Sequence, residues 1–357
     1  MDHRDIGRMR MRSELLTRHA AMKPEAVVAH FGAMQAQDYP GALWAVAQRT
    51  PRATRADVEL AIAQRNIVRS WPMRGTLHFM AGADARWMLA LLTPRINESG
   101  GWATRRKFLG ITDRDMERAT ALVTRALSGG KVIKRSELYA VLDRGGVSPA
   151  KQRGLHILSK LAHELVIIFG PHDGSQATFV LLDDWLPHQK PLQRDEGLAR
   201  IATIYFRSHG PATIRDFVWW SSLTVADAKR GIAGAGSTIK AHDVGGTTYY
   251  APRDVSAEAT MEAHMLPPFD EMLVAFRDRS ASLDAMHQHH VSGSKNGFMQ
   301  PTVVIDGQVV GTWLRTTSRD RTKVKIKPFF ALSSSIKRAI ADAGDRYAHY
   351  LGTPVLV

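Results

Sequence analysis

The sequence predicts an α+β chain: three consecutive modules, each of helices followed by a β-hairpin, closed by a β-rich C-terminal region. Three observations predict it. At 357 residues the chain exceeds one ordinary core. An order of helical stretches ending in a β-rich pair recurs three times. Beyond about residue 265 the helical spacing gives way to short alternating runs. With 44% hydrophobic and 23% charged residues, the composition is that of a globular protein.

The first module is expected over 1–112. "KPEAVVAHFGAMQAQ" places Pro24 at a helix start and spaces Val27, Val28, Phe31 and Met34 on one helical face. "TRADVELAIAQRN" opens with Thr54 and Asp57 three residues on, a capping-box spacing. "IVRSWPMRGTLHFMA" reads as a hairpin around Pro72 and Gly75. The second module, 113–192, repeats the order. It runs from "DRDMERATALVTRALSGG" through two more helices to the hairpin "LVIIFGPHDGSQATFVLLDDWL". The third, 193–264, runs from "RDEGLARIATIYFRSHG" through "TIRDFVWWSSL" and "TVADAKRGIAGAG" to the β-rich "TIKAHDVGGTTYYA"; Trp219 and Trp220 are expected in its core. Three helices and a hairpin form the winged helix-turn-helix plan. In the C-terminal region, 265–357, "PPFDEMLVAFRDRS" reads as strand and turn. "PTVVIDGQVVGTWLRT" reads as a hairpin at Asp306–Gly307, and "SSSIKRAIADAGDRYAHYLG" as a closing helix.

The net charge of +14 and a pI near 10.2 suit a polyanionic partner. The excess is uneven. Residues 101–150 hold ten Lys/Arg against five Asp/Glu, 301–357 nine against four, and 251–300 four against seven. Basic segments around an acidic one suggest a binding surface. The absence of cysteine excludes disulfides, thiolate zinc sites and cysteine-ligated clusters. No apolar run is long enough to span a bilayer, and the N-terminus lacks a secretory h-region, so a cytoplasmic, nucleoid-associated protein without membrane contact is expected. The cluster His287, His289 and His290 has no spaced partner to complete a metal site. A basic loop near DNA is expected there, and no metal or cofactor.

Taken together, "MQAQDYPGALWAVAQR", "VRSWPMRGTLHFM", "HGPATIRDFVWWSSL", "LPPFDEMLVAFRDR" and "PTVVIDGQVVGTW" resemble the winged-helix DNA-binding family that includes the AlkZ and YcaQ DNA glycosylases. The resemblance runs from about residue 8 to the C-terminus. It implies three tandem winged helices and a β-rich end forming a basic cleft over duplex DNA. It also implies excision of bulky alkylated purines, including bases joined in interstrand crosslinks, in DNA repair or genotoxin self-resistance. The family's functional motif, Gln, a small or apolar residue, then Gln or Asp, reads here Gln35-Ala36-Gln37, which places the chain on the AlkZ-like side. Asp38 follows one position too late to be the YcaQ-type acid.

The chemistry admits amides. A purine alkylated at N7 or N3 is already cationic and leaves without a general acid. The remaining work is to hold the nucleotide and to place a water near C1′. Glutamine's carbonyl accepts from water and its NH2 donates to phosphate or sugar. Gln37 is the first candidate for orienting the water and Gln35 its positioning partner. The other reading is two solvated or capping amides. Asp38 supplies negative charge near the sugar, or only starts a turn in "DYPG". No lysine lies in the motif, which favours a monofunctional, water-using glycosylase over a lyase.

The candidate DNA contacts are Arg74 at the first hairpin, then Arg105, Arg106 and Lys107, and Lys131, Lys134 and Arg135. Lys295, and the strand residues Arg321, Lys323, Lys325 and Lys327, complete the set. Alternation puts the last four on one face. Trp71, Pro72 and Met73 wedge into the duplex or pack as a wing. The partner expected is double-stranded DNA, bound by a single chain. The alternative function is a non-enzymatic winged-helix DNA-binding protein or transcriptional regulator.

Overall fold

The computed structural model describes residues 2–17, 22–98, 101–253, 256–293, 297–318 and 321–357. The first module comprises α1 (His3–Ser13), α2 (Pro24–Phe31), β1 (Ala33–Gln35), α3 (Tyr39–Ala47), α4 (Arg55–Ala63), β2 (Ile67–Met73) and β3 (Thr76–Ala81). Here the expected long second helix stops early. Gly32 takes a φ of +73°, which only glycine adopts readily, and Ala33–Gln35 leave the helix to pair with β3. The expected capping box forms: Thr54 Oγ1 accepts from Asp57 N at 3.3 Å and Asp57 Oδ2 from Thr54 N at 2.7 Å.

Helices α5 (Gly82–Glu98) and α6 (Gly101–Phe108) lead into the second module. It holds α7 (Asp113–Leu127), β4 (Ile133–Lys134), α8 (Arg135–Arg144), α9 (Arg153–His163), β5 (Ile167–Phe169) and β6 (Thr178–Leu181). Both modules pair their first short strand with the last strand of the hairpin. The hairpins then meet edge to edge through Arg69 and Phe169, giving one six-stranded sheet in the order β1-β3-β2-β5-β6-β4. After α10 (Leu182–Trp185) come α11 (Arg194–His209), α12 (Ile214–Ser221), α13 (Val225–Ala235), β7 (Ile239–Val244) and β8 (Thr247–Pro252). In this third module the first strand shrinks to one bridge, Ala212 with Tyr250, which exchange backbone bonds of 3.0 and 2.8 Å.

The C-terminal region contains β9 (Ala263–Leu266), α14 (Glu271–Val274), α15 (Gln288–Ser292), β10 (Thr302–Ile305), β11 (Gln308–Thr317), β12 (Thr322–Pro328), α16 (Ser334–Leu351) and β13 (Val355–Leu356). Its sheet runs β13-β12-β11-β10-β9 and starts two residues ahead of the expected boundary at 265. The Asp306–Gly307 hairpin forms as expected, with φ of 51° and 79°. "PPFDEML" is a helical turn rather than a strand, because Asp270 caps it by accepting from Met272 N at 3.1 Å. The His287–His290 segment is also helical. His287 stacks on Phe329 at 4.4 Å, so it packs rather than forming a loop.

The cores cross module boundaries. Phe31, Trp44 and Phe79 of the first module share one core with Met265, Trp313 and Tyr347 of the C-terminal region. Val68, Met80 and Met88 share another with Tyr205, Phe206 and Trp220 of the third. Trp71 of β2 is buried among Phe169 and Phe179 of the second module, and Met73 is buried too, so neither is a wedge for DNA. Trp220 is fully buried, whereas Trp219, expected beside it in the core, is 42% exposed. A buried ion cluster ties α1, α3 and the start of α14 together. Arg49 donates to Asp270 at 2.9 and 2.7 Å, to Glu14 Oε2 at 3.2 Å and to the Glu14 carbonyl at 2.8 Å. Burial pushes the Glu14 carboxyl well up, against the pull of Arg49.

Arg49→Ala leaves two buried acids without their cation. It is expected to lower unfolding stability by ~3–5 kcal/mol in chemical denaturation. A loss below ~1 kcal/mol refutes the structural weight given to this cluster.

Candidate active site

Gln35 lies at the end of β1 opposite His78, buried, and Gln37 is exposed two residues on. Every backbone group of the motif that the fold reaches is held. Gln35 N donates to Glu271 Oε1 at 2.6 Å, across 236 residues of chain. Ala36 N donates to the Leu77 carbonyl at 2.7 Å. The Ala36 carbonyl accepts from Arg69 Nε at 3.1 Å and Nη2 at 2.7 Å. Gln37 N donates to Gln35 Oε1 at 3.1 Å.

The two side chains therefore differ in duty. The Gln35 amide is spent inside, its carbonyl on Gln37 N and its NH2 on Thr76 Oγ1 at 3.3 Å. It is a brace. Gln37 Oε1 accepts from Leu77 N at 3.3 Å, which fixes the amide's orientation. A carbonyl oxygen has a second lone pair, so that oxygen still accepts from a water, and the exposed NH2 faces outward. Asp38 occupies the N-cap of α3, where its carbonyl accepts from Ala42 N at 2.9 Å but its carboxylate caps nothing. That half-buried carboxylate stands 2.5 Å from where a Cβ of Gly41 would lie, so a side chain at 41 would push the Asp38 carboxylate from its place.

The charges beneath the motif belong mostly to residues that sequence reasoning gave no role; Arg74, expected on DNA, is the exception. Burial alone raises the Glu271 carboxyl. Its hydrogen bond from His209 Nε2 at 3.3 Å, with the charge of Arg74, outweighs burial and holds it below the usual range. Burial, then the Arg74 charge, drives His78 down to about 3. Neutral His78 accepts from Arg74 Nη2 at 3.0 Å, so its Nδ1 carries the proton and donates to the Thr76 carbonyl, also at 3.0 Å. His78 is thus structural. Burial lowers Arg69 to about 10, which leaves it a cation at neutral pH. Its Nη1 meets His172 Nε2 at 3.3 Å, and His172 stacks on Tyr39 at 3.7 Å. The signal for Arg69 and Glu271 was present, since both sit in "VRSWPMRG" and "LPPFDEML". Their partners are too distant in sequence to be read there.

The candidate DNA contacts divide. Lys323, Lys325 and Lys327 are exposed along β12 while Thr322 and Val324 are buried, so the alternation expected is real; Arg321 is exposed just before the strand. Arg105 and Lys107 are exposed on α6, but Arg106 is buried and donates to the Asn97 carbonyl at 2.6 Å, which removes it as a phosphate clamp. Arg74 is likewise turned inward, its guanidinium spent on His78 and, at 2.9 Å, on the Val274 carbonyl. Lys131 and Arg135 are exposed, and Lys134 pairs with Asp173 at 2.8 Å, next to His172. Arg135 also lies close enough to Arg69 for its charge to depress that residue's pKa. Lys295 lies outside the described residues. Among the described residues no group of three His, Asp or Glu could hold a metal ion, and no helix is long and apolar enough to cross a membrane.

Known proteins share this fold. The solved structure of the Streptomyces sahachiroi DNA glycosylase AlkZ matches with a TM-score of 0.81 and 25% identity, over 100% of both chains. A curated relative, the interstrand DNA cross-link repair glycosylase of Streptomyces sahachiroi, is 27% identical over 330 residues, 87% of each chain. The family model for AlkZ-like DNA glycosylases matches residues 28–350. The chain belongs to the AlkZ-like family of DNA glycosylases, hydrolases that act on N-glycosyl bonds.

Proposed function

We propose that this glycosylase removes bulky N7- or N3-alkylated purines from duplex DNA, monoadducts and interstrand crosslinks alike, as a single chain working on the nucleoid. The observation that carries the reading is the pair of amides at Gln35 and Gln37, one braced inside and one presented outward on a clamped backbone. The N-glycosidic bond breaks with its electron pair going to the purine nitrogen, which cancels the charge of the alkylated ring. The developing sugar cation is met by the Gln37 carbonyl dipole and the Asp38 carboxylate. A water held by Gln37 Oε1 bonds to C1′ and releases a proton to solvent. Gln37 is exposed, so it can meet a lesion nucleotide that an interstrand tether keeps in the helix. The cross-link named for the Streptomyces relative is consistent with this placement.

The three modules supply the duplex contact as winged helices. The exposed set Arg105, Lys107, Lys131, Arg135, Arg321, Lys323, Lys325 and Lys327, with half-buried Lys134 once it leaves Asp173, neutralises phosphates around the motif. Arg69 and Glu271 act as positioning residues, because they touch the motif and not the lesion.

Gln37→Ala is expected to slow release of an N7-alkylguanine by ~100-fold or more, scored as abasic sites, with duplex affinity within ~2-fold. Full activity in that variant sinks the assignment. Glu271→Gln retains an acceptor for Gln35 N but loses the charge. It should lower kcat several-fold with KM unchanged, and a KM effect alone contradicts a positioning role. Each of Lys323→Ala, Lys325→Ala and Lys327→Ala should reduce the slope of log affinity against log salt by about 1 on undamaged duplex; an unchanged slope removes β12 from the DNA surface.

A further inference from the structure

A groove of about 880 Å³ lies where the first hairpin meets the third module. Its floor is apolar: Val218, Val225 and the indole of Trp219. Its rim is basic, with exposed Arg215 and Arg277, and none of its lining residues is acidic. Trp219 is 42% exposed although its one donor, Nε1, is already satisfied by the Val274 carbonyl at 3.1 Å. The ring is therefore held in place with its polar edge turned in and apolar surface left to water. Its neighbour Trp220 is fully buried, so the helix had an apolar interior available and keeps Trp219 outside it.

The groove is tied to the active site. Trp219 and Arg74 both donate to the Val274 carbonyl, at 3.1 and 2.9 Å. Val274 ends the one-turn helix α14, which begins at Glu271, the residue holding Gln35 N. Arg74 N also donates to Ser222 Oγ of the groove wall at 3.2 Å. An aromatic floor beside a cationic rim matches a nucleotide in both parts: a base stacks on the ring and the flanking phosphates meet the guanidiniums. A paired base is covered on both faces by its neighbours and cannot lie flat in a groove of this kind.

We propose that this groove binds one unpaired nucleotide of the DNA, stacked on Trp219, with Arg215 and Arg277 on its phosphates. The site lies outside the Gln35–Gln37 motif and adds to the duplex contact rather than to the chemistry. The strand distortion caused by a bulky lesion would supply such a nucleotide, and binding it would favour distorted over regular DNA.

The test uses the full chain and undamaged DNA, so its outcome is independent of the roles given to Gln35 and Gln37. A short duplex carries a single bulged 2-aminopurine, and the control is the same duplex fully paired. The parent is expected to bind the bulged duplex more tightly and to quench its fluorescence on stacking. Trp219→Ala should weaken binding to the bulged duplex about tenfold, abolish the quench and leave the paired duplex unaffected. Trp219→Phe should keep most of both signals. Arg215→Ala with Arg277→Ala should flatten the salt dependence for the bulged duplex. Equal affinity of the parent for both duplexes, or a Trp219→Ala variant that retains the quench, overturns the proposal.

Discussion

Two adjacent buried carboxylates, Asp270 and Glu271, hold the active site to the rest of the molecule. Asp270 takes the Arg49 guanidinium and so fixes α3; Glu271 accepts from the Gln35 backbone N–H and so fixes β1. The motif bridges those two elements, which makes its geometry a property of a helical turn in the C-terminal region. Buried ions of this kind persist only when their partners are in place. The arrangement thus couples the shape of the site to complete folding of the chain: the first module supplies Arg49 and Gln35 N but carries neither acid.

Two charged side chains lie behind the backbone of the Gln35–Gln37 motif. Arg69 and Glu271 grip the backbone from opposite sides, one on a carbonyl and one on an N–H, and the groups they present are neutral amides. An ionised base or acid would have to be tuned by its surroundings to work near neutrality. Amides need orientation instead, and the hydrogen bonds of Gln35 to Gln37 N and Thr76, and of Gln37 to Leu77 N, supply it. If the leaving base brings its own charge, as proposed above, orientation is what the protein has to supply.

Much of this was visible in the sequence where local rules decide. The capping box at Thr54, the Asp306–Gly307 turn and the lysine alternation of β12 each depend on a few neighbouring residues, and each formed as read. The helix through Met34 did not, because one positive-φ glycine and a strand some forty residues away outweigh its periodicity. Arg74 and Arg106 looked like surface cations. Only tertiary contacts show that carbonyls inside the fold claim them. Arg69 and Glu271 stand in stretches that the family resemblance singled out, yet their purpose lies in partners that are remote along the chain. Charge counts report how many cations there are and not which of them face outward.

The shared sheet has a further consequence. Because β2 and β5 join through Arg69 and Phe169, the two hairpins cannot swing independently. Neither can be exchanged for a relative's hairpin without matching the other's edge. Arg69 sits in that seam and also grips the Ala36 carbonyl. An insertion or deletion in either hairpin would therefore reach the Gln35–Gln37 motif through one residue. Length variation in this fold should accumulate in its outer turns, away from that seam.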